Sequence, residues 1–473
     1  MVFSSAVFLF FFLPICLSAY FASRGRNVVL LAFSLLFYAW GEPVLVTVMI
    51  GTIIVNFFMG RLIDRNRHVE SRRKLLLAIG VALNVVLLAT FKYANFLIAS
   101  LNGLFAWVGL QPIAHVDIPL PLGISFFTFQ SISYLIDIYR DDSHSERNPV
   151  KFALFKTLFP QLIAGPIVRY TELARQLTDR RIDLAWFGAG VERFIIGLAQ
   201  KVLVADVLAV SVDKIFAIPG AELSFLVSWV GVLLFALQIY FDFSGYSNMA
   251  IGLSQMLGFR IPENFNFPYA ALSIRDFWRR WHMTLSRWFR DYLYIPLGGN
   301  QKSFWRTGVN LFAVFFLCGL WHGANWTFVV WGLYHGLFLT LERTRFGLML
   351  ERMPIALRHS YVLLVVAIGW LLFRASSLSA ATEMGRAMLG LNGFSNPQFA
   401  LRQFADNLTL VAAMIGVAFS FPMLGPRLVA WFRSGEASFP RAAGHALCMS
   451  ALFIVSLAYI GAQTHRAFIY FRF

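Results

Sequence analysis

Charge is scarce in this chain: Asp, Glu, Lys and Arg make up 14% of its 473 residues, against about 25% in an average soluble domain. A water-exposed surface of ordinary polarity is therefore excluded for much of the protein. Cysteine is scarcer still. Cys16, Cys318 and Cys448 each lie in apolar sequence, which rules out a disulfide framework and a cysteine-based zinc pattern. There is no Walker loop, no dinucleotide fingerprint and no internal repeat, so nucleotide hydrolysis, Rossmann-type redox chemistry and solenoid architectures have no support. The opening Met1-Val2-Phe3-Ser4-Ser5 lacks the basic residues of a cleaved signal peptide, so the apolar run that follows is expected to be retained as a first span.

What is present is apolar surface. Hydrophobic residues account for 58% of the chain, 50 residues are Phe, and the mean hydropathy is +0.66. Runs long enough to cross, or nearly cross, a ~30 Å hydrocarbon core occur near 3–21, 27–41, 43–59, 75–91, 94–110, 119–138, 190–210, 224–243, 307–321, 326–341, 361–373, 407–425 and 443–461. Several fall short of about 17 residues. The expectation is an all-α polytopic membrane protein with about eleven full spans plus re-entrant pieces.

The net charge of +16 reads as topology, because Lys and Arg gather in the gaps between runs. Arg24 and Arg26 follow the first run, a neutral Gly41-Glu42-Pro43 follows the second, and Arg61, Arg65, Arg67, Arg72, Arg73 and Lys74 follow the third. This alternation predicts a periplasmic N-terminus and basic cytoplasmic loops facing anionic membrane lipid. Nucleic acid is not an expected partner.

Two stretches interrupt the pattern of spans. Residues 140–181 contain Phe159 to Pro166, an apolar hairpin closed by prolines, and 259–306 carries eight Lys or Arg against three Asp or Glu. Irregular backbone at membrane depth survives only when buried in protein or lining a cavity, so both segments are candidates to line one.

Read as a helix at 100° per residue, Trp278 to Tyr292 places Trp278, Trp281, His282, Leu285, Trp288, Phe289 and Tyr292 in one arc of about 120°, with the arginines elsewhere. An interfacial anchoring helix accounts for that pattern, except for the ionisable His282 on the aromatic stripe. Pro296-Leu297-Gly298-Gly299-Asn300, with Lys302 nearby, is either an ordinary turn or a phosphate-approaching loop. His322, in Leu320-Trp321-His322-Gly323-Ala324-Asn325-Trp326, sits between two apolar runs. An ionisable group there is costly and so a functional candidate, and a neutral imidazole can take a proton from a hydroxyl. A structural histidine is the competing reading. Cys318, four residues earlier, can share its face and raises a thioester route, although buried cysteine is commonly a small hydrophobe. His335 is a second intramembrane histidine. Asp242, within Tyr240 to Asn248, must be protonated, paired or facing a cavity.

These stretches resemble the membrane-bound O-acyltransferase family, in its bacterial polysaccharide branch. The matching motifs are Phe159 to Ile167, Gln238 to Gly252, Glu263 to Tyr269, Asp276 to Gly299 and Gly319 to Gly336, with likeness also in the opening residues and the closing Phe468 to Phe473. The resemblance implies a ring of transmembrane helices around a thinned centre with a central tunnel. It implies one domain over 1–473, with N-terminal spans at 1–110, a catalytic core at roughly 119–341 and C-terminal spans at 361–473. His322 corresponds to the family's near-invariant histidine and His282 to its second motif histidine. Tyr240, Asp242, Trp281, Trp321, Asn325 and His335 are expected along the tunnel, and Arg279, Arg280 and Lys302 near the donor.

No metal and no resident cofactor are expected. The donor would be acetyl-CoA entering from the cytoplasm, with acetyl leaving across the inner membrane to an exported polysaccharide. Alginate is the expected acceptor, ahead of cellulose, peptidoglycan or another exopolymer. A periplasmic acetyltransferase or other polysaccharide-modifying partner is expected to complete transfer. A small-solute transporter and a scaffold are the alternatives from other classes. The first would show pseudo-symmetric halves and the second would tolerate His322→Ala. One departure stands out: the family's Phe-Ser-Gly-Tyr-Ser segment usually continues with an acid, where this chain has Asn248.

Overall fold

A computed structural model describes residues 1–116, 118–301, 303–424 and 439–462. Among the described residues the regular structure is helical and no strand forms. The elements that matter below are α1 (Phe8–Ala22), α2 (Arg26–Gly41), α3 (Val46–Arg65), α4 (Glu70–Val108), α5 (Ile124–Tyr139), α6 (Pro149–Thr157), α7 (Leu184–Phe216), α8 (Phe225–Met256), α9 (Ile274–Arg280), α10 (Met283–Phe289), α11 (Phe304–His322), α12 (Trp326–Leu341), α13 (Ile355–Arg374), α14 (Asn407–Phe419) and α15 (Pro440–Ala462). Seven of them, α3, α4, α7, α8, α11, α13 and α15, are long and apolar enough to cross a membrane, and α1, α2, α12 and α14 are shorter apolar helices.

The helices are longer than the apolar runs suggest. Runs 75–91 and 94–110 are one helix, α4, carried past Lys92 by a π-helical turn at Ala89–Tyr93. No Gly or Pro interrupts the sequence there, and Lys92 Nζ reaches Ser125 Oγ at 3.3 Å, so the chain has no reason to break. In α7 a second π-helical turn, Gln200–Ala205, surrounds Lys201. In α8 the helix continues past Asp242 to Met256.

The chain folds into two compact units. The first comprises Met1–Val191 with Ala250–Pro262. Its core is aromatic: the rings of Phe3, Phe8, Phe12, Phe37 and Phe159 pack with centroids 5.1–6.4 Å apart. Phe159 begins the Pro-bounded segment, and everything from Leu158 to Val168 is buried.

The second unit comprises Glu192–Met249 with Glu263–Phe473. Here glycines set the helix spacing. A Cβ on Gly197 would lie 2.6 Å from Gly245 O, and one on Gly245 would lie 2.7 Å from Gly197 O. Backbone therefore rests on backbone where α7 crosses α8. On α11 and α12 the approach is closer still, with Gly319 facing Phe328 O and Gly332 facing Phe315 O. Small residues are the usual means of bringing helices together where lipid supplies no hydrophobic driving force. Gly323 stops α11 in an extended conformation, and Asn325 starts α12 by accepting from Thr327 N at 3.0 Å. The tight α11–α12 hairpin thus holds His322 at its apex.

Candidate functional site

The segment around His282 is not one helix. The α9 helix ends at Arg280, His282 adopts a left-handed conformation (φ 42°, ψ 55°), and α10 begins at Met283. A single helical stripe from Trp278 to Tyr292 is therefore corrected to two short helices with the histidine at their joint. The physical cause lies in residues 264–266. Met283 N donates to Asn264 O at 2.9 Å, and Asn266 N donates to Arg280 O at 3.0 Å. These bonds clamp the joint from outside and satisfy backbone groups that the break exposes. A non-glycine residue in this region costs roughly 1–3 kcal/mol and persists only where the surroundings enforce it, typically at functional sites.

His282 is fully buried. Asn264 Oδ1 takes hydrogen bonds from Thr284 N at 3.3 Å and Thr284 Oγ1 at 2.9 Å, while Asn264 Nδ2 donates to Ser247 Oγ at 3.2 Å. Because a backbone N–H can only donate, Asn264 Oδ1 is the acceptor end of the amide. His282 Nδ1, 3.0 Å from that oxygen, must then carry the proton. Its Nε2 is left with a lone pair, buried and without a hydrogen-bond partner among the described residues. Burial pushes the imidazole down to about 3, so it is neutral at physiological pH.

His322, the last residue of α11, is 4% exposed. Three aromatic rings stand edge-on around it: Trp321 at 4.9 Å, Trp331 of α12 at 4.9 Å and Phe373 of α13 at 5.2 Å. His282 packs against Phe243 of α8 at 4.7 Å and against Trp321 at 6.0 Å. Trp321 therefore touches both imidazoles. The two histidines meet across one indole inside an aromatic wall, where low dielectric strengthens whatever polar contacts a substrate brings.

The other expected site residues divide. Trp281 is 1% exposed, held between Phe265 at 5.0 Å and Trp370 at 4.8 Å, and Tyr240 lies 6.3 Å from it. Both belong to the layer behind His282. His335 is buried behind Trp331, 5.1 Å from it, and its Nδ1 accepts from Trp278 Nε1 at 3.4 Å. Asn325 caps α12 and donates to Ser376 O at 3.1 Å, which is a structural task. Cys318 is buried and makes no hydrogen bond among the described residues.

Asp242 is ion-paired with Lys201 at 2.6 Å, and Lys201 also meets Asp206 at 2.7 Å. Of the three options for Asp242 the structure shows pairing, and the triad ties α7 to α8. Arg280 pairs with Asp276 at 2.9 Å, Arg279 is exposed, and Lys302 lies outside the described residues. Asn248, in place of an acid, accepts from Arg193 Nε and Nη2 at 3.1 Å each, and Glu263 supplies the carboxylate for that same guanidinium at 2.7 Å. Among the described residues no three His, Cys, Asp or Glu side chains gather as metal ligands.

Sequence reasoning missed Asn264, Ser247, Thr284, Lys201, Phe243, Trp331 and Phe373. Asn264, Ser247, Thr284, Phe243 and Trp331 carried a signal, since each lies within one of the motifs behind the resemblance. The others reach the site through contacts between distant segments.

Architecture and site together define a multi-pass membrane enzyme with paired buried imidazoles. The sequence profile described as the membrane-bound O-acyltransferase family matches residues 75–380, and the chain belongs to that family. Over the whole length of both chains it is 41% identical to a Pseudomonas putida protein named probable alginate O-acetylase. It is 45% identical to the Pseudomonas aeruginosa protein of the same name, over 82% of this chain and 75% of that one. It is also 37% identical to a Helicobacter pylori protein named peptidoglycan O-acetyltransferase, over 84% and 81% of the two chains. The chain is thus a membrane O-acyltransferase, and these relatives are named for O-acetylation.

Proposed function

We propose that the enzyme takes acetyl from a cytoplasmic coenzyme A thioester and passes it across the bacterial inner membrane for O-acetylation of exported alginate. The observation that carries this reading is the convergence of His282 and His322 on Trp321 among packed aromatic rings. The full-length similarity to probable alginate O-acetylases supports the choice of polymer. The alternation of basic and neutral loops between α1 and α4 supports a periplasmic N-terminus,.

In this reading a neutral imidazole, His322, removes the proton from an acceptor hydroxyl as its oxygen attacks the thioester carbonyl. The C–S bond breaks as the ester forms, and the imidazolium returns its proton to the departing thiolate. Attack by His322 itself, through an acetyl-imidazole, is the variant route. His282, neutral and with Nε2 open, orients donor or acceptor. The exposed Arg279 is available to an anionic coenzyme at the basic 259–306 segment,. A periplasmic partner protein carries acetyl onto the long polymer. Purified protein in proteoliposomes, given radiolabelled acetyl-CoA and alginate oligosaccharide, tests the donor: label in polymer or in a partner supports it. Polymer acetylation by this chain alone would refute the need for a partner. Solute flux without any acyl donor would favour a transporter.

Peptidoglycan is the second acceptor, favoured by the 37% identity to the Helicobacter pylori enzyme. Acetyl analysis of cell wall and exopolymer from one complemented deletion strain separates the two.

A further inference from the structure

We propose that Asn264 is a positioning residue for acyl transfer: it locks His282 in the Nδ1–H tautomer and so keeps Nε2 as an unprotonated hydrogen-bond acceptor. The proposal rests on the acyl-transfer reading of this site, but the lock itself can be observed without any turnover.

Three features of the geometry point the same way. First, Asn264 is 1% exposed and its amide orientation is fixed from both ends, by Thr284 N–H and Oγ1 on the oxygen and by Ser247 Oγ on the nitrogen. It cannot flip to offer His282 a donor without leaving the Thr284 N–H facing an NH2 group. Second, the same residue's backbone oxygen takes Met283 N–H at 2.9 Å. One residue therefore controls both the ring's protonation pattern and the left-handed backbone that presents it. Third, among the described residues no hydrogen bond competes for the other ring nitrogen. Phe243 and Trp321 flank the imidazole, and no side chain among the described residues bonds Nε2. A buried acceptor nitrogen left open carries a desolvation penalty. A fold that retains such an atom at a backbone outlier has the signature of a site awaiting a donor. The donor that fits is a hydroxyl of the acceptor, or an amide N–H of the acyl carrier.

The role differs from generic packing because it specifies which ring nitrogen carries hydrogen. An imidazole orientation set by a hydrogen bond at the far nitrogen is the common device for fixing tautomer at reactive histidines. Replacing Asn264 by Leu fills the space but removes the acceptor. The ring can then place its proton on Nε2, which turns that nitrogen from acceptor to donor. Replacing it by Asp keeps an acceptor oxygen and so keeps the tautomer.

The test uses the full-length protein in lipid, labelled with 15N-histidine, with His282→Ala spectra subtracted to isolate one ring. The wild type should show a protonated Nδ1 and a bare Nε2. Asn264→Asp should keep that pattern and at least a tenth of the acetyl transfer. Asn264→Leu should move the proton to Nε2 and lose transfer at least tenfold while keeping a cooperative thermal transition. An unchanged tautomer in Asn264→Leu would overturn the lock. A switched tautomer with full transfer would overturn its service to the reaction. If the wild type transfers no acetyl at all, the acyl-transfer reading fails, and the spectra still decide whether Asn264 sets the ring.

Discussion

A single methyl group at Gly332 should abolish most acetyl transfer. A Cβ there would lie 3.2 Å from Gly319 Cα and 2.1 Å from Phe315 O, the latter more than 1 Å inside the 3.4 Å where ordinary contact begins. Both obstacles are backbone, so no side-chain rotation relieves them, and α11 and α12 must part by about the missing distance. Overpacking of this kind costs about 1–3 kcal/mol, which a membrane protein of this size can survive. The site is less tolerant. Gly319 lies one turn before His322, and Trp331, adjacent to Gly332, forms part of the histidine's wall at 4.9 Å. A 1 Å misplacement of reacting groups costs on the order of 10²-fold in rate. Gly332→Ala should therefore insert, melt at a modestly lower temperature and transfer acetyl about a hundredfold more slowly. Gly336→Ala is the matched control one turn on, where a Cβ meets nothing closer than 3.5 Å and both properties should hold. The assay is acetyl incorporated per membrane-inserted protein, with thermal melting in parallel. Gly332→Ala activity within twofold of wild type would refute the claim that this backbone contact seats His322.

Three further outcomes are expected. Lys201→Met removes the cation shared by Asp242 and Asp206, whose side chains are 2% and 14% exposed. It should destabilise by about 3–5 kcal/mol, read as loss of folded protein on detergent extraction, and a wild-type melting point would contradict the ion-pair assignment. Asn248→Asp places a carboxylate against Arg193, already 3.1 Å from Asn248 Oδ1, and should leave transfer intact with a gain of at most about 1 kcal/mol. A marked loss of transfer would mean that neutrality at this position matters. His282 gives a pH signature, because its folded-state value is depressed to about 3 and the unfolded chain takes up the proton near 6.5. The stability it contributes is complete above about 6.5 and falls by up to about 1.4 kcal/mol per pH unit below that. His282→Gln should flatten the decline of melting temperature between pH 7 and 5, and parallel slopes would count against a neutral buried ring.

Much of the architecture was legible because apolar run length is a property of contiguous sequence. So was His322, an ionisable residue between two such runs. The failures share one cause, which is that long-range pairing overrode local pattern. Residues 278–292 keep a helical aromatic period through His282, yet the backbone turns left-handed there because residues 264–266 bond across the joint. Lys92 and Asp242 look like span-breakers in sequence. Ser125 and Lys201, on other helices, make continuous helix possible at both. Asn248 stands where the family usually has an acid, and Glu263, from a separate segment, meets the Arg193 that Asn248 binds. Asn264 stands in a recognisable motif, but its task follows from the direction of one N–H, that of Thr284.

The most direct test of the central claim is the acetyl content of exported polymer in a deletion strain carrying wild type or His322→Ala at matched membrane levels. Acetylation restored by the wild type and absent with His322→Ala is the predicted result. Full restoration by His322→Ala would contradict it and leave the histidine a structural part of the α11–α12 hairpin.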